Sequence, residues 1–354
     1  MTGTITSKRK ILKLVKGGHV LDWDDPRLYT LIALRRRGVP PEAVLQFVST
    51  LGVSTAGSVI QTTRFEQVVR QHLENTVPRL LMVLKPLKVT LENVTEDFVQ
   101  FIEKPLHPKI PGLGKGTIPF TRTLYIDEED FRVQDSKDYF RLAPGKTVGL
   151  FQGPHPITYV SHQTDDAGKV TELVCRLEDG TDGKPVPKPK AFIQWVAEHA
   201  ESGSPVRVQE TRIFYPLFKS DNPAAEDDFL ADINPNSLDV HKDVMLEVGF
   251  WPLARKMLAE AHEEAQHRQA QAPQAIKAEG DAHPADAPVA SAQSLVGNEC
   301  VRFQGLRVGY FCLDKEAHVE LAKGKDGDIS RRREGEVVIL NRIVSLKEDA
   351  GKST

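Results

Sequence analysis

The sequence changes its periodicity near Pro86, and this break constrains the fold more than any other feature. Beyond it come short β-rich runs, "KVTLENV", "FVQFIE", "TIPFTRTLYID" and "KTVGLF", separated by Pro, Gly and Asp. "PITYVSHQTDDAGKVTELVCRLEDG" reads as a hairpin turning at Asp166-Ala167-Gly168. "AFIQWVAE" and "VRVQETRIFYPLF" continue the pattern, and "CVRFQGLRVGYFCLD" with "GEVVILNRIVSL" is spaced as a long hairpin. Many short strands without helices between them predict antiparallel barrels rather than a parallel sheet.

Before the break the grammar is helical. In "WDDPRLYTLIALRRRG" the sequence predicts Asp25 as N-cap, Pro26 at the first helical position, and a stripe of Leu28, Leu31 and Ile32. Arg35, Arg36 and Arg37 load the last turn, where cations suit the helix dipole, and Gly38 ends it. A second helix starts at Pro41, lines one face with Ala43, Val44, Phe47, Val48 and Leu51, and stops at Gly52. "TTRFEQVVRQHLEN" gives a third, and Pro78 marks a break before "RLLMVL". Residues 262–295 are rich in Ala, Gln and Pro, and are expected to be a helix tail fraying into a disordered insertion.

Composition narrows the classes. The 354 residues allow two or three domains. No apolar run approaches the ~20 residues of a membrane span, and the basic start lacks the apolar core of a secretory signal. Cys175, Cys300 and Cys312 form no CxxC pair, which predicts reduced thiols in the cytoplasm and argues against zinc. The net charge of −3 is uneven: residues 258–295 carry a net of −4, and residues 1–38 a net of +6, so a polyanion partner remains open. "HEEAQH" has its His262 and His267 five apart, not the four that a zinc-protease helix needs. "GLGKGT" at 112–117 lacks phosphate-loop spacing and reads as an ordinary loop.

At "SKRKILKLV…LDWDDPRLYTLIALRRRG" the chain resembles the glutaminyl-tRNA synthetases, class I enzymes of subclass Ib. "PPEAVLQFVSTLGV", "NTVPRLLMVLKPLKVTLENV", "YFRLAPGKTVGL", "KAFIQWV", "FLADINPNSLDV", "RVGYFCLD" and "NRIVSLKEDAGK" extend the likeness over residues 2–352, the low-complexity stretch apart. "YFRLAPGKTVGL" and "SLKEDAGK" look like the eukaryote-like glutaminyl branch. The resemblance implies an α+β architecture: the KMSKS-type loop and start of a connecting segment at 1–20, a helical subdomain at 21–85, and two antiparallel anticodon-binding barrels over 86–354. The distal barrel is expected at about 125–255, and the proximal one at about 86–124 plus 298–350. The dinucleotide-fold catalytic domain, with its HIGH-type motif, is expected to be absent, and the chain alone inactive.

The same resemblance implies roles. Ser7, Lys8 and Arg9 match the KMSKS-type loop, with Thr6 at a place usually apolar; Lys8 would stabilise the ATP phosphates. A disordered basic end is the plainer reading of those residues. Arg79 and Gln304 match groups at the middle anticodon base, and Arg141 one at the third. Arg35, Arg36, Arg37, Arg307 and Lys347 are further implied tRNA contacts, though a solvated helix end accounts equally for the three adjacent arginines. Asp138, Gly149 and Phe151 fall where bacterial members carry a glutamine and two arginines, which leaves Phe151 to stack on the first base or to join the core. ATP and Mg2+ are implied for the full-length enzyme, with neither bound to this chain. tRNA(Gln) is the implied partner, and an amino-terminal catalytic half or other synthetases are candidate protein partners; no membrane or DNA partner is expected. A glutamyl-specific relative and a non-catalytic RNA-binding or assembly protein are the alternatives.

Overall fold

The computed structural model describes residues 1–52, 59–181, 183, 185–226, 228–271, 296–321 and 329–347. Four helices come first: α1 (Lys8–Lys16), α2 (Leu31–Arg36), α3 (Pro41–Leu51) and α4 (Thr62–Glu74). Strands follow as β1 (Arg79–Leu80), β2 (Met82–Val83), β3 (Pro86–Leu91), β4 (Val99–Pro105), β5 (Lys115–Thr121), β6 (Thr123–Asp127), β7 (Thr147–Leu150), β8 (Ile157–Thr164) and β9 (Val170–Leu177). Next are β10 (Phe192–Ile193), β11 (Val196–Ala197), β12 (Val206–Val208), β13 (Glu210–Phe214), β14 (Leu238–His241) and β15 (Val244–Leu246). Helix α5 (Phe250–Gln271) precedes β16 (Arg302–Gly305), β17 (Gly309–Leu313) and β18 (Ile339–Ser345).

Two β cores form, but not with the expected partition. A seven-stranded sheet runs β10-β7-β8-β9-β3-β6-β11, so β3 and β6 sit beside β8 and β9 rather than with residues 298–350. Val89, Leu124 and Ile126 fill one core with Val148, Ile157, Leu173 and Trp195. A six-stranded sheet, β1-β16-β17-β18-β13-β14, takes strands from three distant parts of the chain. With β12, β15 and α5 it encloses Val206, Val244, Phe250, Trp251, Phe303, Phe311 and Leu340. Most pairs are antiparallel, yet β1·β16, β3·β9, β7·β10 and β13·β18 are parallel. Sequential order cannot reveal such long-range pairings, which is why the strands are shared between the two cores differently from the expected partition. The hairpin at 166–168 is present: β8 and β9 pair antiparallel, and Asp165 accepts from the Ala167 and Lys169 amides at the turn. "CVRFQGLRVGYFCLD" is itself a hairpin, β16 against β17.

The stretch joining the halves is shared. Along "RLLMVL", Leu80 and Met82 enter the second core while Leu81 and Val83 enter the first. Alternation of side chains across an extended backbone puts one short segment into both barrels.

Helices α3 and α4 rest on β17 and β18, with Ala43, Phe47, Phe65, Val69 and Leu73 against Tyr310, Cys312 and Ile343. Helix α2 is shorter than the sequence suggests. Thr30, not Asp25, caps it, accepting from the Ala33 amide at 3.1 Å. The Asp25 carboxylate is buried and already satisfied by the Leu21 and Arg27 amides and by the Arg27 guanidinium. Leu28 is buried, but Leu31 and Ile32 are 76% and 53% exposed, so the expected stripe does not hold. Helix α5 continues to Gln271, so residues 262–271, expected to lie in a disordered insertion, are helical; 272–295 lie outside the described residues. Residues 111–113 form a single 3-10 turn followed by β5, without a helix to make a phosphate loop.

Candidate nucleic-acid interface

Strand β1 pairs in parallel with β16, and the register sets Arg79 opposite Gln304. Arg79 Nε and Gln304 Oε1 are both enclosed and both lack a hydrogen-bond partner. An unused donor and an unused acceptor thus sit on paired residues where the two β cores meet. Behind them, Lys104 Nζ donates to the Arg79 carbonyl at 3.2 Å and lies 3.0 Å from Glu247 Oε1. The Leu81 amide donates to Glu247 Oε2 at 2.6 Å. Burial pushes the Glu247 carboxyl up, and Lys104 opposes that shift. This buried pair holds the backbone on both sides of Leu80.

Next to this seam is a polar cleft of about 410 Å3, lined in part by Lys85, Asp130, Arg141, Gln194, Arg307 and Arg342. Arg141 is 40% exposed and its Nη1 lies 3.1 Å from Asp130 Oδ1. Burial pushes the Asp130 carboxyl up to about 6, although the Arg307 and Arg141 cations pull it down. Arg307, exposed and left-handed at φ 61°, donates from Nη1 to the Phe192 carbonyl at 2.6 Å. The fold therefore brings Arg141 and Arg307 to one cleft, and Gln304 is only three residues from Arg307 on the same hairpin.

The three adjacent arginines part company. Arg36 is buried: Nε and Nη2 donate to Asp314 at 2.9 and 3.1 Å, Nη1 to Asp24 at 3.1 Å, and Nη2 to Glu316 at 2.7 Å. Burial alone would lower its guanidinium, but these carboxylates raise it. Arg37, also buried, donates to the Ile343 carbonyl at 2.9 Å and to Glu66 at 3.1 Å. Both are turned inward, so the phosphate contacts expected of them are corrected to a structural role tying α2 to the second barrel. Arg35 is exposed and pairs with Glu299. Ser7 precedes α1, and Lys8 and Arg9 are exposed in its first turn, so this basic end is helical rather than irregular. Lys347 is exposed beyond β18. Phe151 is half-buried and packs on the first core.

Sequence reasoning missed Lys85, Phe192, Gln194 and Arg342. For Phe192 and Gln194 a signal existed: "FIQWV" alternates, with Ile193 and Trp195 in the core and the other two facing away. Among the described residues no group of three His, Cys, Asp or Glu is placed to hold a metal ion, and no helix is long and apolar enough to cross a membrane.

Residues 77–178 match the family described as tRNA synthetases class I (E and Q), anti-codon binding domain, and residues 1–75 match the catalytic domain of the same class. The second match covers α1 to α4, so the expected absence of the dinucleotide-fold catalytic domain is not confirmed. The chain is 43% identical over 355 residues to a probable glutamine–tRNA ligase of Schizosaccharomyces pombe, spanning 100% of this chain and 38% of that protein. It is 39% identical over 363 residues to the glutamine–tRNA ligase of Saccharomyces cerevisiae, spanning 99% of this chain and 39% of that protein. A glutamine–tRNA ligase protein of Hypocrea virens is 42% identical over 357 residues, with 100% of this chain and 46% of that protein covered. The likeness runs through both the helical and the β regions, and the chain belongs to the glutaminyl-tRNA synthetase family of class I.

Proposed function

We propose that this chain is the anticodon-recognising part of a glutamine–tRNA ligase, which joins glutamine to tRNA(Gln) using ATP. The observation that carries this reading is the in-register pair Arg79 Nε and Gln304 Oε1, buried and unpartnered at the seam. RNA is read by sequence where unstacked bases present their edges to side chains. The middle base of a glutamine anticodon is uracil, whose edge offers a carbonyl acceptor beside an N–H donor. Arg79 and Gln304 offer the complements. The last base is guanine, and arginine suits the O6/N7 edge of guanine. Arg141, half-exposed in the cleft, is the residue for that base, with Arg307 beside it.

ATP is the other substrate on this reading, with Mg2+ as the counter-ion of its phosphates. Lys8 and Arg9, exposed where α1 begins, are available to meet negative charge there. Cys175, Cys300 and Cys312 are unpaired, which suits a cytoplasmic protein.

The test is binding of transcribed tRNA(Gln) to Arg79→Ala and Gln304→Ala. Each should cost roughly 1–3 kcal/mol if it reads a base, and the loss should shrink when the middle uracil is also replaced. Equal losses on every tRNA would reduce these groups to phosphate contacts and overturn the reading. Replacing the last guanine by the cytosine of a glutamate anticodon should abolish the advantage that Arg141 confers.

A further inference from the structure

Phe192 is 52% exposed and lies outside every buried core, although a phenyl ring usually joins one. Its ring lies against Gly149, the paired residue of β7, so closely that a Cβ at that glycine would overlap it. Arg307 fixes the Phe192 carbonyl and brings a cation to the same rim. Two residues on, Gln194 leaves the same side of the extended segment and lines the polar cleft. Gln194 is 4% exposed, and neither its Nε2 nor its Oε1 has a partner. A buried amide with both donor and acceptor unused is costly unless water or a ligand completes it.

We propose that Phe192 and Gln194 form a nucleobase subsite: the ring stacks on one unpaired base of the bound RNA, and the amide meets that base's edge from the cleft. The inference rests on the RNA-binding reading above and adds to it a second recognition mode. Stacking is tolerant of base identity because every base has a π face, whereas an amide bonds selectively. The two residues therefore contribute in distinguishable ways. Gly149 serves the ring, because no other side chain allows so close an approach.

The experiment uses the full chain and transcribed tRNA(Gln), with a set of transcripts abasic or substituted at each anticodon position. Phe192→Ala should weaken binding on the order of 10- to 100-fold, with the loss vanishing on the transcript abasic at one position. Phe192→Tyr should restore affinity. Gly149→Ala should weaken binding in the parent but add little to Phe192→Ala, the coupling expected of a ring that the glycine positions. Gln194→Met should flatten base preference at that same position. Melting curves identify any variant that fails to fold, and Phe192→Tyr then decides the stacking role by itself. Phe192→Ala binding within twofold of the parent, or Gln194→Met with unchanged base preference, overturns the subsite. In parallel, Arg79→Ala tests the underlying reading: base-dependent loss there with no effect at Phe192 removes only this inference.

Discussion

Asp130 is one of four carboxylates lining the cleft, with Asp127, Glu129 and Asp239. Burial raises its carboxyl from the ordinary 3.8 to about 6, against the pull of Arg307 and Arg141. In the unfolded chain the same group ionises at the ordinary value, so between these two pH values the folded form holds a proton that the unfolded form has released. Its contribution to stability is full at the acid end and is lost as pH rises through about 6. Arg141→Gln removes one stabilising cation, so carbon-13 titration of the Asp130 carboxyl should find its pKa higher still. A fall on that substitution would show that Arg141 does not face the carboxylate. Arg36 obeys a different rule. Asp314 has no exposed side-chain surface and takes its nearest cationic bonds from Arg36, with Arg212 3.4 Å away and Asn341 also donating, so Arg36→Met removes the nearer of two cations and should cost about 1.5–3 kcal/mol in urea unfolding. A cost under about 1 kcal/mol, the ordinary value of an exposed pair, would mean that water reaches Asp314.

The decisive element is the short stretch β1–β2. It contributes alternate residues to two cores and carries Arg79 at its start. Lys104 and Glu247, both 2% exposed, hold its backbone. Lys104→Met leaves Glu247 charged and unpaired in the interior, and should cost about 3–5 kcal/mol. Adding Glu247→Gln removes that charge, so the double variant should be more stable than the sum of the singles implies. Unfolding curves for the four proteins give the coupling, and strict additivity would refute it. Helix α2 ends on Gly38, left-handed at φ 89° and pressed against Cys312. Gly38→Ala should cost more than the ~1 kcal/mol of an ordinary glycine replacement, because both the backbone and the contact oppose a Cβ.

At the scale of the whole molecule, the second β core is the hub. Its strands β17 and β18 carry α3 and α4, Arg36 ties it to α2, and it shares β1–β2 with the first core. The chain spans 38% to 46% of the relatives compared, and positioning of two reactants supplies a large part of a ligase's rate. An exposed Lys8 does not position them. We therefore expect no glutamine-dependent pyrophosphate exchange from this chain alone. Joined to the amino-terminal part of one of those relatives, it should show exchange, and Lys8→Ala should then slow the rate more than it weakens ATP binding. Exchange by this chain alone, abolished by Lys8→Ala, would contradict the expectation.

Local signals were legible in the sequence because they act over a few residues: Pro41 and Gly52 bounding α3, the turn at Gly168, and the alternation of strands β3 and β6. The resemblance singled out Arg79, Arg141, Gln304 and Arg307, and their spacing along the chain conceals that Arg79 pairs with Gln304 and that Arg141 shares a cleft with Arg307. Only the tertiary structure decided the rest. Asp25 looked like a helix cap, but a guanidinium two residues away satisfied it first, and Thr30 took the cap. Arg35, Arg36 and Arg37 look alike in sequence; their fates differ because Asp314, Glu316 and Ile343 reach α2 from roughly 280 to 306 residues away. The parallel pairings β1·β16 and β3·β9 set the barrel limits, and such contacts leave no local trace. Periodicity reports which way a side chain points, but what it meets depends on strands brought together by burial of both cores.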